Sequence, residues 1–154
     1  MPCAVRYRFT QRFSVPARKA YGWCTNFTPV DQAIMGEENA ERQITHLAEG
    51  TLILTDVFHA NGHVEKQKLV QLYPDQLRWT STHLTGPNKY SQFTYMISEE
   101  GESASRLDFT GLRLEYAKEN LNEADIKLLE EKLRKEDSHV WKLLAKAMAK
   151  ELRK

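Results

Sequence analysis

A chain of 154 residues in which 22 Lys and Arg face 21 Asp and Glu has a formal net charge of +1, which excludes a strong overall electrostatic pull toward nucleic acid or anionic lipid. The length suits one domain over residues 1–154, large enough to hide about two-thirds of its unfolded surface. Two cysteines, Cys3 and Cys24, make no disulfide framework and predict a reducing, cytoplasmic setting, while no run of about 18 apolar residues supplies a membrane span and no apolar leader core follows Arg6 and Arg8.

Residues 5–15 alternate. Val5, Tyr7, Phe9, Phe13 and Val15 share one face, and Arg6, Arg8, Thr10, Arg12 and Ser14 share the other, the pattern of a half-buried strand. Pro16 has the fixed φ of a first helical turn, with the Ser14 hydroxyl just upstream, so a short helix is expected from Ala17 to Asn26. The stretch TPVDQAIMG, residues 28–36, opens on Thr-Pro and stops at Gly36, predicting a second short helix. From Glu41 to Tyr116, turn signals at Glu49-Gly50, Asn61-Gly62, Pro74-Asp75, Gly86-Pro87-Asn88 and Glu100-Gly101 divide the chain into six strands. Asn61-Gly62 is the strongest of these, because a type I′ hairpin needs two positive φ values. In the last strand the apolar set shifts from Leu107 and Phe109 to Leu112, Leu114 and Tyr116, and a bulge at Gly111 is expected to keep both sets inward. Residues 122–154 lack Gly and Pro and repeat Ile126, Leu129, Leu133, Val140, Leu144, Met148 and Leu152 at helical spacing. Glu123 and Asp125 at the start and Lys150, Arg153 and Lys154 at the end complement the dipole of one long amphipathic helix.

The order strand, two short helices, six-strand antiparallel meander and long C-terminal helix resembles the START-like or SRPBCC superfamily, whose helix-grip fold is shared with the birch-pollen-allergen proteins. The stretch SVPARKAYGWCTNF, residues 14–27, looks like that family's opening, where a strand ends in a small-residue-plus-proline step and a helix carries an aromatic toward the next loop. The resemblance extends from about Val5 to Lys154. It implies an α+β fold, a seven-stranded curved antiparallel sheet wrapped around the long helix, with a cavity between them for an apolar or amphipathic small molecule. Members include lipid and hormone carriers, polyketide aromatases and cyclases, ring-hydroxylating oxygenase domains and chaperone activators, so the resemblance does not select one reaction.

Cys24 lies near the end of its helix with no His close by, which argues against a lowered thiol pKa and for packing as a small hydrophobe. His46, His59, His63, His83 and His139 do not form a metal-ligand spacing, and no cofactor is called for. The unusual placement is KEDSHVW, residues 135–141, where the apolar stripe passes from Leu133 to Val140 through Asp137. An acid there either projects into the cavity as a ligand anchor or general base, or pairs with a cation or reaches water. Glu136 is an alternative occupant of the gap.

In the central hairpin, Leu52, Leu54, Asp56 and Phe58 read as one face, with Glu65, Gln67, Leu69 and Gln71 across from them; Ile53, Val57, Val64, Val70 and Trp79 dominate the other. Neither set is purely apolar, and a cavity lining and a partly wetted outer face both fit. His83, Thr80 and Thr82 share that ambiguity. Cationic clusters at Arg6, Arg8 and Arg12 and at Lys142, Lys146, Lys150, Arg153 and Lys154 read as solvated, and no nucleic-acid-reading module accompanies them.

The expected function is binding of a hydrophobic or amphipathic small molecule between sheet and helix. The expected lining is Phe58, Trp79, Tyr95, Phe109, Leu133, Asp137, Val140 and Leu144, with Asp137 as polar anchor. Two alternatives are a cyclase, aromatase or dehydratase using Asp137, His83 or Asp56 to move a proton, and a chaperone-activator-like interaction module with a filled core.

Overall fold

The computed structural model describes residues 2–27, 40–59, 62, 64–116 and 121–152. The chain runs β1 (Cys3–Phe13), α1 (Ala17–Cys24), β2 (Ala40–Ala48), β3 (Thr51–Phe58), β4 (Val64–Tyr73), a 3-10 turn (Pro74–Gln76), β5 (Arg78–His83), β6 (Gln92–Glu99), β7 (Ser105–Glu115) and α2 (Glu123–Leu152). The seven strands form one antiparallel sheet in the order β1-β7-β6-β5-β4-β3-β2. The second short helix expected over residues 28–36 lies outside the described residues, as do His63, Arg153 and Lys154.

Alternation in β1 survives intact, with Val5, Tyr7 and Phe13 buried and Arg6 and Arg8 exposed. Pro16 is the residue before α1 rather than within its first turn: its φ of −58° and ψ of 148° leave it extended, while its carbonyl accepts the first helical hydrogen bond, from the Ala20 amide at 2.9 Å. The N-cap residue itself, Pro16, makes no side-chain capping hydrogen bond. The Tyr21 hydroxyl donates to the Arg78 carbonyl at 3.0 Å and fixes the helix against β5.

At the start of α2, the Asp125 amide donates to Asn122 Oδ1 at 2.8 Å and the Asn122 amide donates to Asp125 Oδ2 at 3.4 Å. This reciprocal cap satisfies two amides that the first helical turn would otherwise leave open. At the other end, Trp23 Nε1 donates to Glu151 Oε2 at 2.8 Å, tying α1 to the last turn of α2. Leu133, Leu144 and Met148 are the buried residues of α2. Among the described residues no helix is long and apolar enough to cross a membrane.

Two expectations about register are corrected. Pairing of β7 with β1 and with β6 runs unbroken through Gly111, which faces Tyr7 on one side and Phe93 on the other. There is no bulge: Leu107, Phe109 and Gly111 face inward in strict alternation, and Leu112 and Leu114 belong to the opposite face, only half-buried. A Cβ at Gly111 would stand 2.8 Å from Tyr7 Cε1 and 2.9 Å from Tyr7 Cζ, so the glycine makes room for a phenol rather than for a kink. In the β3–β4 hairpin, Phe58 pairs with Val64, Asp56 with Lys66, Leu54 with Lys68 and Leu52 with Val70. The expected partners Glu65, Gln67, Leu69 and Gln71 are one residue out. Because side chains alternate, that single step carries Val64, Val70 and Trp79 onto the same face as Leu52 and Leu54.

Candidate functional site

The register sorts the inward residues into successive rungs across the sheet. One rung is aromatic, running from Phe9 through Phe109 and Tyr95 to Trp79. Phe9 and Phe109 stack at 4.5 Å between ring centroids, and Trp79 and Tyr95 stack at 4.6 Å with planes 3° apart. The next runs Tyr7, Gly111, Phe93, Ser81, Val70, Leu52, with small residues at Gly111 and Ser81. The Tyr7 ring takes up the space at Gly111; above Ser81 the space stays open. Beyond it the polarity changes: His83, Lys68 and Leu54 form a rung on β5, β4 and β3, with Arg113 at the same level on β7, and Lys66, Asp56 and Arg42 follow.

A cavity of about 120 Å³ lies where α1, α2 and the inner face of the sheet meet. Its floor is Leu54, Lys68, Val70, Trp79, Ser81 and Tyr95; α2 contributes Val140, Trp141 and Leu144, the end of α1 contributes Trp23 and Cys24, and Phe27 and Arg42 complete it. The volume approaches that of the roughly 150 Å³ apolar cavity known to take one benzene ring. Trp141 lies 5.7 Å from Tyr95 and 6.4 Å from Trp79, ring centroid to centroid. All three tryptophans of the chain border this one space.

Arg42 is fixed by Asp56, which accepts from Nε at 2.6 Å and from the terminal Nη2 at 3.0 Å. Both side chains are almost fully buried, at 7% and 3% exposure. This two-pronged pair holds the guanidinium plane at the cavity wall. A smaller cleft of about 80 Å³ adjoins, walled in part by Lys66, Lys68, His83 and the Gly86-Pro87-Asn88 turn, and Lys68 belongs to both walls. Burial, helped by Lys68, Arg113 and Lys66, pushes the His83 pKa down to about 4, so the imidazole is neutral at physiological pH.

Of the residues expected to line the cavity, Trp79, Tyr95, Val140 and Leu144 lie on its wall. Phe109 and Leu133 pack instead with Val5, Tyr7 and Phe93 in a second apolar cluster. Phe58 lies at the far end of β3, half-buried, with the Lys66 ammonium 5.1 Å from its ring centroid. Asp137 is half-buried and accepts a short hydrogen bond from the Tyr7 hydroxyl; its partner is a phenol, neither the cation nor the water of the structural expectation. Burial raises the Asp137 pKa above its ordinary value, opposed by the Tyr7 hydrogen bond and by Arg113 and Lys68. Burial likewise raises the Tyr7 phenol, reinforced by Asp137. His83 faces inward opposite Lys68, whereas Thr80 and Thr82 fall on the other face of β5. Cys24 is buried at 8% exposure at the end of α1.

Sequence reasoning missed Trp23, Phe27, Arg42, Lys68, Ser81 and Trp141. Trp141 had a signal, four residues after Asp137 and three before Leu144 on the same helical stripe. Lys68 and Arg42 had none, since a cation within a strand ordinarily marks the solvent face.

No family model matches the chain, and no curated protein matches it in sequence. Solved structures match its fold. A Staphylococcus aureus protein of unknown function superposes with a TM-score of 0.77 at 10% identity over 99% of this chain and 98% of its own. The Zhui aromatase/cyclase from Streptomyces sp. R1128 gives 0.67 at 13% identity over 97% and 93%. Norcoclaurine synthase from Thalictrum flavum, solved in complex with dopamine and hydroxybenzaldehyde, gives 0.67 at 9% identity over 97% and 88%. Sheet order, long terminal helix and these superpositions agree: the chain has the helix-grip fold.

Proposed function

We propose that this protein binds a small hydrophobic or amphipathic molecule in the cavity between the sheet and α2. The observation that carries this reading is the aromatic wall around an open space of about 120 Å³, with Trp23, Trp79, Tyr95 and Trp141 all bordering it. Close-packed interiors seldom leave such a volume, and apolar surface held beside a void gains on burial against a ligand. Solved helix-grip proteins that hold aromatic ligands, such as the norcoclaurine synthase complex, lend the reading support by fold.

A catalytic reading asks for titratable groups converging on one point of the cavity. The candidates diverge: Asp137 is engaged by Tyr7, Asp56 by Arg42, and His83 borders the neighbouring cleft. An interaction module with a filled core fits the cavity poorly. Native mass spectrometry of freshly purified protein tests the binding reading. A retained mass that is lost on collisional activation is expected, and Ser81→Leu, which fills the space above the sheet, is expected to abolish it. Retention of the same mass by a correctly folded Ser81→Leu variant would place the ligand elsewhere.

A further inference from the structure

Among the described residues, hydroxyls carried into the interior are matched by protein groups except at the cavity wall. The Ser105 hydroxyl donates to the Val15 carbonyl at 2.8 Å, and Ser91 Oγ accepts from the Leu114 amide at 2.8 Å. The buried Tyr7 and Tyr21 are matched as well, by Asp137 and by the Arg78 carbonyl. Ser81, buried like Ser91 and Ser105, has no hydrogen-bond partner among the described residues, and neither has the hydroxyl of Tyr95, whose ring is stacked on Trp79 with Trp141 beside it. Arg78 Nε is the single sealed side-chain atom without a partner among the described residues, so the Ser81 and Tyr95 oxygens both keep open surface. The space that both side chains border is the cavity. Packing requires neither oxygen: alanine at 81 would leave the same space open, and phenylalanine at 95 would stack on Trp79 equally. Each adds a group that is unfavourable to bury unbonded.

We propose that Ser81 and Tyr95 are the specificity-determining residues of the cavity, and that its ligand is a single-ring aromatic carrying a hydroxyl that they hold by hydrogen bonds. This assignment rests on the cavity-binding reading and narrows it to hydroxylated rings. The volume of about 120 Å³ admits about one ring, and Trp79 and Trp141 supply its apolar contacts. Burial raises the Tyr95 phenol above its ordinary pKa, reinforced by Asp137 and Cys24, so this hydroxyl stays protonated and donates. Ser81 stands on the floor between Val70 and Phe93, and its hydroxyl both accepts and donates. A ligand hydroxyl suits both partners because it, too, donates and accepts through one oxygen. A hydrocarbon of the same size would leave both wall oxygens unbonded, and a wall built to bond a hydroxyl rejects an analogue that lacks it. The rings contribute affinity with little selectivity, and the two oxygens select among rings of equal size.

Phenol and toluene, rings of equal size that differ in one hydroxyl, test the assignment when titrated into the full chain at pH 7, with calorimetry and ligand-observed saturation-transfer NMR as readouts. A wholly apolar cavity favours toluene, because the phenol hydroxyl must leave water without a new partner. Here phenol is expected to bind at least as tightly as toluene. Ser81→Ala is expected to lower the phenol-to-toluene affinity ratio by about tenfold and Tyr95→Phe by about threefold, the range that one hydrogen bond covers. If Ser81→Ala does not fold, Tyr95→Phe, which keeps the ring and removes only the oxygen, carries the test by itself. Toluene binding about tenfold or more tighter than phenol in the unmodified chain overturns the proposal and leaves the cavity reading standing. A ratio that stays within about twofold of the unmodified chain in both variants does the same. Failure of both probes to release heat or receive saturation overturns both.

Discussion

The inner face of the sheet is two surfaces joined at Ser81. Toward β1 and β7 it is filled by rings: Phe109 touches Tyr7, Phe9, Phe93 and Tyr95 within 6 Å between centroids, and Leu133 of α2 seals them. Toward β2, β3 and β4 it carries Lys66, Lys68 and the Arg42–Asp56 pair, and β2 ends with Ile44 and Leu47 exposed at 42% and 56%. The first surface buries area against the helix and holds the fold. The second is held by charge and leaves an open space, which is what a site needs and a core avoids.

Substitutions on the two surfaces therefore have different consequences. Phe109→Ala is expected to lose about 3–5 kcal/mol of stability, read by urea denaturation; a loss below about 1 kcal/mol would mean the ring cluster does not carry the fold. Asp56→Ala strands the buried Arg42 charge and is expected to lose about 3–5 kcal/mol in the same assay. Replacing both partners, Arg42→Met with Asp56→Leu, is expected to restore most of that loss. A double variant as unstable as Asp56→Ala alone would mean that the loss does not come from the stranded charge.

Gly111→Ala drives a methyl against the Tyr7 ring and within 3.2 Å of Phe109 Cε1, and is expected to cost about 1–3 kcal/mol. The substitution is neutral if Tyr7 can swing away, in which case the Tyr7–Asp137 hydrogen bond is expected to break and the near-ultraviolet dichroism of tyrosine to change.

The smallest effect is a pH dependence. His83 has a folded value of about 4 against 6.5 when free. The unfolded chain binds its proton first, so the stability tied to neutral His83 is complete above 6.5 and drains as pH falls toward 4. Asp137 has the opposite sign: its raised value makes the folded state the better proton binder, so its contribution is present at acid pH and fades as pH rises through the raised value. His83→Gln is expected to flatten the fall in stability between pH 6.5 and 4. An unchanged slope would mean that His83 is hydrated in solution.

The architecture was legible because it rests on signals that repeat. Alternation in β1, glycines at the ends of strands, and the apolar stripe of α2 each recur over many residues, and Gly50, Gly86 and Gly101 take the positive φ those turns require. What failed was parity. Reading Gly111 as a bulge assumed that apolar residues must face inward, and the mixed faces of the β3–β4 hairpin offered no apolar pattern to fix its register, which was read one residue out. Leu112 and Leu114 face the other way, and Lys68 and Asp56 face in. Half of the expected lining, Trp79, Tyr95, Val140 and Leu144, reached the cavity wall because each lies on an apolar face by period alone. Phe109 and Leu133 are equally apolar but are consumed by packing, a distinction set by which neighbours fill the space. The cations of the wall were illegible, since nothing in a single sequence separates an inward lysine from a solvated one.

Asp137 also acts as an index mark on a long, otherwise repetitive rod. The stripe Leu133, Val140, Leu144 and Met148 presents similar apolar surface to the sheet after a slide of one turn, about 5.4 Å. Such a slide would bring Leu133 or Trp141 opposite the Tyr7 hydroxyl in place of the carboxylate, leaving a buried phenol without its acceptor. Only one axial setting satisfies both groups, and in that setting Val140, Trp141 and Leu144 stand over Ser81. The roof of the cavity is thereby positioned by a bond made outside it.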